Sequence, residues 1–128
     1  MMPVKTSKQN HTHFKRNTYK TGLLAEWRAR WFLRLHGFRI LASRYTTGRY
    51  TGRAEIDIIA RRGNLIIFVE VKSRKNLSAA WDAITPTQIM RLRSAAEGYI
   101  ARTHFRGDAR FDVIIVTGVR HIWARGAI

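Results

Sequence analysis

Two apolar runs separated by Gly63-Asn64 dominate the middle of the chain. They cover residues 56–60 and 65–71, and the dipeptide between them suits a two-residue hairpin turn, because both central positions of such a turn tolerate positive φ. If this pair forms the turn, Arg62 faces Leu65. The pattern therefore predicts a β-hairpin within residues 54–75.

The two faces of the predicted hairpin differ in chemistry. In the same register Asp57 lies across from Glu70 and Glu55 lies across from Lys72. Directly opposed side chains share one face of a sheet, with Cβ atoms roughly 4.5–5.5 Å apart. The other face is apolar and is built from the pairs Ile56–Val71, Ile58–Val69 and Ala60–Ile67. A slip of one residue would separate the acidic pair, so the clustering depends on this turn.

A helix and a strand are predicted before the hairpin. Apolar residues recur at three- and four-residue spacing over residues 21–36, which is typical of an amphipathic helix. The residues predicted to face the core are Leu23, Leu24, Trp27, Trp31 and Leu35. Residues 38–45 are predicted to form a first strand, and residues 46–53 a loop.

A second helix and a further strand are predicted after the hairpin. Residues 76–84 are expected to be a connection, and Thr85-Pro86-Thr87-Gln88 combines a threonine cap, a proline at the first helical position and a glutamine that suits a capping box. This helix is predicted to extend to about Arg102. Residues 111–116 form an apolar strand, and residues 119–124 are a weaker candidate. The order helix–three strands–helix–strand indicates an α/β fold around a central mixed sheet.

Composition indicates a single folded domain with a basic extension. The chain has 128 residues, of which 45% are hydrophobic and two are proline. Residues 1–20 contain five basic residues, no acidic ones and few apolar ones, so they are predicted to form a disordered basic arm, with the α/β domain over residues 21–128. No run approaches the roughly 18 apolar residues of a membrane span. The absence of cysteine excludes disulfides and thiolate metal sites and favours a cytoplasmic location.

The charge balance predicts a polyanionic partner. The chain has 24 Lys and Arg against 8 Asp and Glu, for a net charge of +16, which favours phosphate contacts with nucleic acid. An anionic membrane surface and an acidic protein are the alternatives. Against this basic background, three of the eight acidic residues (Glu55, Asp57 and Glu70) fall on one face of the hairpin. A divalent cation would neutralise them and bridge them to phosphate oxygens.

These motifs resemble those of the bacterial UPF0102 (YraN-like) family, which is similar in turn to the PD-(D/E)XK nuclease superfamily that includes Holliday junction resolvases. The resemblance covers roughly residues 19–118. It is carried by Glu55-Ile-Asp57-Ile-Ile, by Phe68-Val-Glu70-Val-Lys72, by Glu26 on the helix in front and by Arg110-Phe-Asp-Val behind. It implies a restriction-endonuclease-like core.

The resemblance implies a catalytic role for each matching residue. Asp57 and Glu70 correspond to the metal-binding acids, which would hold Mg²⁺ or Mn²⁺ together with the backbone carbonyl of Val71. Lys72 corresponds to the lysine that positions or activates the attacking water. Glu26 matches an acidic residue that completes the site in resolvase-like members.

Further residues are assigned supporting roles. Glu55 fits the family's Glu-Ile-Asp run, and Gln88 lies where related nucleases place a polar residue facing the site, although it equally suits the capping box. The residues expected to bind nucleic acid are Arg49 and Arg53 in the predicted loop and Arg74 and Lys75 near the mouth of the site, where solvated charge is the alternative for the last two.

Each assignment has a structural alternative. Asp57 and Glu70 would otherwise be a cross-strand pair neutralised by arginines, Lys72 the ion-pair partner of Glu55, and Glu26 an ordinary surface residue. Because like charges in directly opposed positions are destabilising, the acidic pair favours a metal site.

The resulting hypothesis is a Mg²⁺- or Mn²⁺-dependent nuclease that acts on DNA by structure or without specificity. The alternatives are a non-catalytic nucleic-acid-binding module of the same fold and an RNA- or ribosome-associated basic protein. A resolvase would act as a two-fold homodimer, but no segment of the sequence indicates where the subunits would meet.

Overall fold

A computed structural model describes residues 20–47 and 54–128 of the chain. In this part of the chain, three helices surround a five-stranded sheet of order β1-β2-β3-β4-β5. The elements are α1 (residues 20–35), β1 (Arg39–Thr47), β2 (Ala54–Arg62), β3 (Leu65–Ser73), α2 (Leu77–Asp82), α3 (Pro86–Thr103), β4 (Asp108–Thr117) and β5 (Arg120–Ala124). Strands β3 and β4 are parallel, whereas the other neighbours are antiparallel. This mixed sheet flanked by helices confirms the predicted α/β class and agrees with a restriction-endonuclease-like core.

The predicted hairpin turn and its register are confirmed. Gly63 has a φ of 60°, a conformation that glycine adopts without strain. The β2–β3 ladder runs from the pair Arg62–Leu65 to the pair Ile58–Val69, as the sequence predicts. The turn also joins the hairpin to the next strand, because the Asp108 N–H donates to the Asn64 carbonyl at 2.8 Å.

Beyond the pair Ile58–Val69 the sheet divides. Strand β2 continues beside β1 as far as the pair Thr47–Ala54, while β3 continues beside β4 as far as Ser73–Val116. Asp57 and Glu70 lie where the two strands part, so they are not a ladder pair. We call this opening between β2 and β3 the fork.

The fork changes part of the predicted apolar face. Ile58 and Val71 pack with residues of α1, as expected for that face, but Ile56 packs with Ile59 and Phe68 in the core on the α3 side. The predicted Ile56–Val71 pair is therefore wrong, because strict alternation along β2 does not extend past Asp57.

Helix α1 is confirmed, but its predicted core face is wrong. Small side chains contact the sheet: Ala25 and Ala29 are 2% and 0% exposed and pack with Leu33 in the core. Small residues allow the helix to lie close to the sheet, and the larger residues of the predicted stripe, including Trp27 and Trp31, are consequently left half exposed.

Helix α3 begins where its sequence signal predicts. The Thr85 hydroxyl accepts the Gln88 N–H at 3.1 Å, and Pro86 occupies the first turn. The helix buries Leu92 and Tyr99 against the sheet face opposite α1. It also belongs to the crossover that parallel strands β3 and β4 require.

The predicted connection at residues 76–84 contains a further short helix, α2. Asn76 caps it by accepting the Ala79 N–H at 2.8 Å, and Ala80 packs on β4. Residues 1–19, most of the predicted basic arm, lie outside the described residues. Within residues 20–47 and 54–128, no helix is both long and apolar enough to span a membrane.

Candidate functional site

The fork opens into a cleft of about 870 Å³. The site residues that line it are Glu26 from α1, Glu55 and Asp57 from β2, Glu70, Val71 and Lys72 from β3, and Gln88 from α3. Four elements distant in sequence thus bring seven of the predicted site residues to one place. The divided sheet provides the space, because β2 and β3 no longer fill it with ladder contacts.

Asp57 closes the inner end of the fork. Its Oδ2 accepts the backbone N–H of Val71 at 2.8 Å, so the side chain takes the position of a missing ladder bond. Burial raises the pKa of this carboxyl well above its usual value, and the nearby charge of Glu70 raises it further. The Val71 hydrogen bond opposes this rise, since it favours the ionised form.

Glu70 is only 4% exposed and has two hydrogen-bond donors. Its Oε1 lies 3.0 Å from Lys72 Nζ and accepts the Gln88 side-chain amide at 2.7 Å. Burial raises the pKa of Glu70, while the charge and hydrogen bond of Lys72 act against the rise. The Gln88 side-chain amide therefore contacts the site.

Two further acidic residues, Glu26 and Glu55, lie at the margin of the cleft. Glu26 forms an ion pair with Arg44 at 2.8 Å, and Glu55 is exposed. Glu55 and Lys72 are not cross-strand neighbours as predicted, because the β2–β3 ladder ends at Ile58–Val69. The alternative in which Lys72 is the ion-pair partner of Glu55 is also wrong, because Lys72 binds Glu70 on its own strand. The charges of Glu26 and Glu55 nevertheless reach Asp57, where both contribute to its raised pKa.

The predicted phosphate-binding residues divide into two sets. Arg74 and Lys75 line the cleft beyond the end of β3, and the Arg74 guanidinium donates to the Ser73 carbonyl at 2.7 Å. Arg49 and Arg53 lie outside the described residues. The described cleft thus has three cations (Lys72, Arg74 and Lys75) beside its acidic centre.

Comparison with known sequences assigns the chain to a family. Residues 25–116 match the model of an uncharacterised protein family, UPF0102. The chain belongs to this family. The matched residues include α1 from residue 25 onward, the hairpin with its fork, and α3, so all the site residues in the cleft lie within the UPF0102 region.

Bacterial UPF0102 proteins are similar over most of the chain. A UPF0102 protein of Bradyrhizobium diazoefficiens is 46% identical over 100 residues, covering 77% of this chain and 72% of the relative. One from Paramagnetospirillum magneticum is 42% identical over 76% of this chain and 77% of the relative. One from Rhizobium etli is 40% identical over 87% and 89%.

The donor set in this UPF0102 cleft fits a hard divalent cation. Within residues 20–47 and 54–128, no three His, Cys, Asp or Glu side chains come together as a metal-binding group. The predicted ligands are instead two carboxylates, Asp57 and Glu70, and the main-chain carbonyl of Val71. Oxygen ligands of this kind suit Mg²⁺ and Mn²⁺, and Mg²⁺ commonly takes only one or two protein carboxylates.

Arg44 contacts a residue of the cleft, and sequence reasoning missed this contact. It has a φ of 53°, in the left-handed region that side chains other than glycine rarely adopt, and it lies in β1 opposite the fork. Its guanidinium holds the carboxylate of Glu26 at the cleft. No sequence signal marks it, because an arginine in an alternating strand gives no indication of left-handed backbone.

Proposed function

We propose that this UPF0102 protein is a divalent-metal-dependent nuclease that hydrolyses nucleic-acid phosphodiester bonds, acting on DNA by structure or without specificity. The observation that supports the proposal is the pair formed by the half-buried Asp57 and the buried Glu70, beside Lys72 at the fork. Two like charges held in a low-dielectric cleft raise each other's cost of ionisation. Such an arrangement is typical of sites that bind a cation or perform acid–base chemistry.

Each residue of the cleft has a distinct part in this proposal. Asp57, Glu70 and the Val71 carbonyl would hold the cation, and Gln88 would keep the Glu70 carboxylate oriented through its 2.7 Å hydrogen bond. A bound Mg²⁺ or Mn²⁺ supplies acidification of water and charge stabilisation at the phosphate. Lys72 would turn from Glu70 to donate to the attacking water or to a phosphate oxygen, and its positive charge stabilises the extra negative charge there.

Binding would be dominated by the sugar-phosphate backbone. Arg74 and Lys75 lie at the mouth of the cleft, where a phosphate next to the scissile bond would pass. The net charge of +16 supplies a long-range attraction for any polyanion. Backbone contacts fix position without reading sequence, which favours recognition by structure or without specificity.

A second candidate is a nucleic-acid-binding module of the same fold without catalysis. One observation favours it: a single oxygen of Glu70 is already engaged by both Lys72 and Gln88, so this carboxylate is neutralised by the protein itself. In such a module the acidic pair would be a structural feature and the arginines would provide the binding.

The test is a cleavage assay with labelled linear, flapped and four-way DNA and matched RNA, in Mg²⁺ and in Mn²⁺. We expect metal-dependent cutting that Asp57→Asn and Glu70→Gln each reduce at least about 100-fold while leaving DNA affinity intact or raised. Glu97→Gln is the matched control, since it removes an exposed carboxylate from α3 outside the cleft.

Binding without cleavage in either metal would favour the non-catalytic module. Cleavage that both cleft variants retain would contradict the assignment of the site. A strong preference for RNA over DNA in the same panel would identify an RNA-directed protein, the third class that the basic composition allows.

A further inference from the structure

Large apolar side chains form a stripe on the solvent-facing side of α1. The apolar stripe consists of Leu24 (54% exposed), Trp27 (51%), Trp31 (49%) and Leu35 (82%). At about 100° per residue, the four lie within an arc of about 80° that faces away from the sheet. Exposed apolar groups aligned in this way mark an interaction surface, whereas single ones are ordinary.

The stripe is close to self-complementary. Its order, Leu–Trp–Trp–Leu, is the same in both chain directions, and its spacing of three, four and four residues is nearly symmetric. A two-fold interface needs this property, because residue i of one copy contacts residue j of the other and the reverse. We propose that the stripe is the docking surface for a second copy of this chain, with the two α1 helices packed antiparallel.

In this arrangement the ends and centres of the stripe match. Leu24 of each copy meets Leu35 of the other, and Trp27 of each copy meets Trp31 of the other. Apolar residues spaced three and four positions apart form the contact between helices whose axes are nearly aligned. The same surface in a parallel pair would place the tryptophans of equal number against each other.

The exposed area is sufficient for a dimer. A tryptophan has on the order of 250 Å² to bury, so two half-exposed tryptophans offer roughly 250 Å² per chain. With a similar area from the two leucines, the pair of helices buries roughly 1,000 Å² in total, the lower limit for a specific interface.

Charge gives the association a distinctive dependence on salt. Two copies with a net charge of +16 each repel one another. On α1 itself, the Arg28 guanidinium donates to the Gly118 carbonyl of the same chain at 2.7 Å. The Arg34 guanidinium lies over the Trp31 ring, 5.0 Å from its centroid. Added salt screens the repulsion and leaves the apolar contact, so the dimer tightens as ionic strength rises. An acidic protein, a nucleic acid or an anionic membrane on the same surface would show the opposite dependence.

The dimer leaves the cleft of each subunit open. The opposite side of α1 lines that cleft through Gly22, Ala25 and Glu26, so one helix would connect the subunit contact to the site. The inference does not rest on the proposed nuclease activity, because its test uses neither nucleic acid nor metal.

Disulfide trapping tests the antiparallel contact directly, since the chain has no cysteine of its own. A mixture of Leu24→Cys and Leu35→Cys chains is expected to form a mixed dimer on mild oxidation. Leu24→Cys alone is expected to cross-link at least about 10-fold less, because two copies of this residue would be about 16 Å apart along the axis. Leu35→Cys mixed with Met90→Cys is the control, since Met90 is 72% exposed on α3.

Sedimentation velocity over a range of concentrations and salt gives the affinity. Trp31→Glu is expected to raise the dimer Kd roughly 30-fold or more, as for a central tryptophan of an interface. Trp81→Glu, which alters a 41% exposed tryptophan on α2, is expected to leave the Kd unchanged. Circular dichroism of both variants checks that each remains folded.

Three results would overturn the proposal. The first is a wild-type chain that stays monomeric at every concentration and salt. The second is self-cross-linking of Leu24→Cys as strong as that of the mixture, which indicates a parallel or nonspecific contact. The third is Trp31-dependent binding to phosphatidylglycerol vesicles or to an acidic helical peptide without any dimer, which would assign the stripe to that occupant.

Discussion

At the scale of single residues, the cleft shows how a protein retains an unfavourable pair of acids. Asp57 is held by a backbone N–H, and Glu70 by a lysine and an amide, yet burial still raises the pKa of each. A carboxyl with a raised folded-state pKa stabilises the fold below its unfolded pKa. That contribution is lost as pH rises through the folded pKa.

Asp57→Asn should therefore stabilise the protein at neutral pH in metal-free buffer. The amide oxygen still accepts the Val71 N–H, whereas the buried charge is gone. We expect a melting temperature a few degrees above wild type at pH 7, with the difference shrinking toward pH 4 as the wild-type carboxyls become protonated. Melting curves across this range test the sign, and Glu97→Gln should show no such trend. A variant less stable than wild type at pH 7 would contradict the argument.

Asp112 is a buried acid that, in contrast, stabilises the fold through its hydrogen bonds. It is 0% exposed, and its oxygens accept two bonds from Arg110, one from the Trp123 indole and one from the Gly126 N–H. Asp112→Ala should lower the free energy of unfolding by about 3–5 kcal/mol, since it leaves the Arg110 charge and two donors unpaired. Urea denaturation measures this, with exposed Asp82→Ala within about 0.5 kcal/mol of wild type as the control.

At the scale of elements, the sequence predicts helices and strands better than it predicts their faces. The turn at Gly63 determines the hairpin register, and Thr85 with Pro86 determines where α3 begins, because both are local signals. On α1 the periodicity is correct but the core face is not, since small residues such as Ala25 set the distance to the sheet. Hydrophobicity alone selects the larger residues, including Trp27.

At the fork too, the sequence predicts the local features of the site but not those that depend on tertiary structure. The sequence predicts that Asp57 and Glu70 lie close together near Lys72, because hairpin register is a local property of the chain. The end of the ladder at Ile58–Val69 was not predicted, because it depends on β1 and β4 holding the two strands from either side. The sequence allows Gln88 two roles, in the site or in the capping box, since only the tertiary structure brings it to Glu70.

Close packing against the hairpin turn leads to a prediction about stability. Gly107 lies where a Cβ would come within 2.4 Å of the Asn64 carbonyl oxygen, which accepts the Asp108 N–H. Gly107→Ala should cost about 1–3 kcal/mol, the usual range for overpacking, because backbone must shift to admit the methyl group. Gly98→Ala on α3 meets no atom within 4 Å and should be stabilising by about 0.5–1 kcal/mol. Equal effects of the two substitutions in thermal or urea unfolding would refute the steric argument.

At the scale of the whole molecule, the cleft and the exposed apolar stripe are separated. The acidic pair, Lys72, Arg74 and Lys75 lie at the cleft, whereas the apolar stripe lies on the opposite side of α1. We expect a protein of +16 net charge to bind many polyanions weakly. Under the proposed function, residues that contact nucleic acid at the cleft would therefore be identified by how they change the salt dependence of binding.

Arg74→Ala and Lys75→Ala should each weaken DNA binding to a similar extent for all sequences. Each variant should reduce the slope of log K against log salt by about one, as expected for the loss of a phosphate contact. Fluorescence anisotropy at several salt concentrations measures the slope. Arg120→Ala, at an exposed position on β5, is the control, and a slope unchanged in both cleft variants would exclude them from the contact.

The hydrogen bond from Val71 to Asp57 also makes the fork observable by spectroscopy. Because the Val71 amide proton is directed at the Asp57 carboxylate, its NMR frequency is sensitive to the electron density of that oxygen. Proton uptake or cation binding at Asp57 would withdraw this density and shift a single assigned backbone resonance. In a ¹⁵N-labelled sample, this one resonance would therefore report proton or cation binding at Asp57 during a titration, with no substrate present.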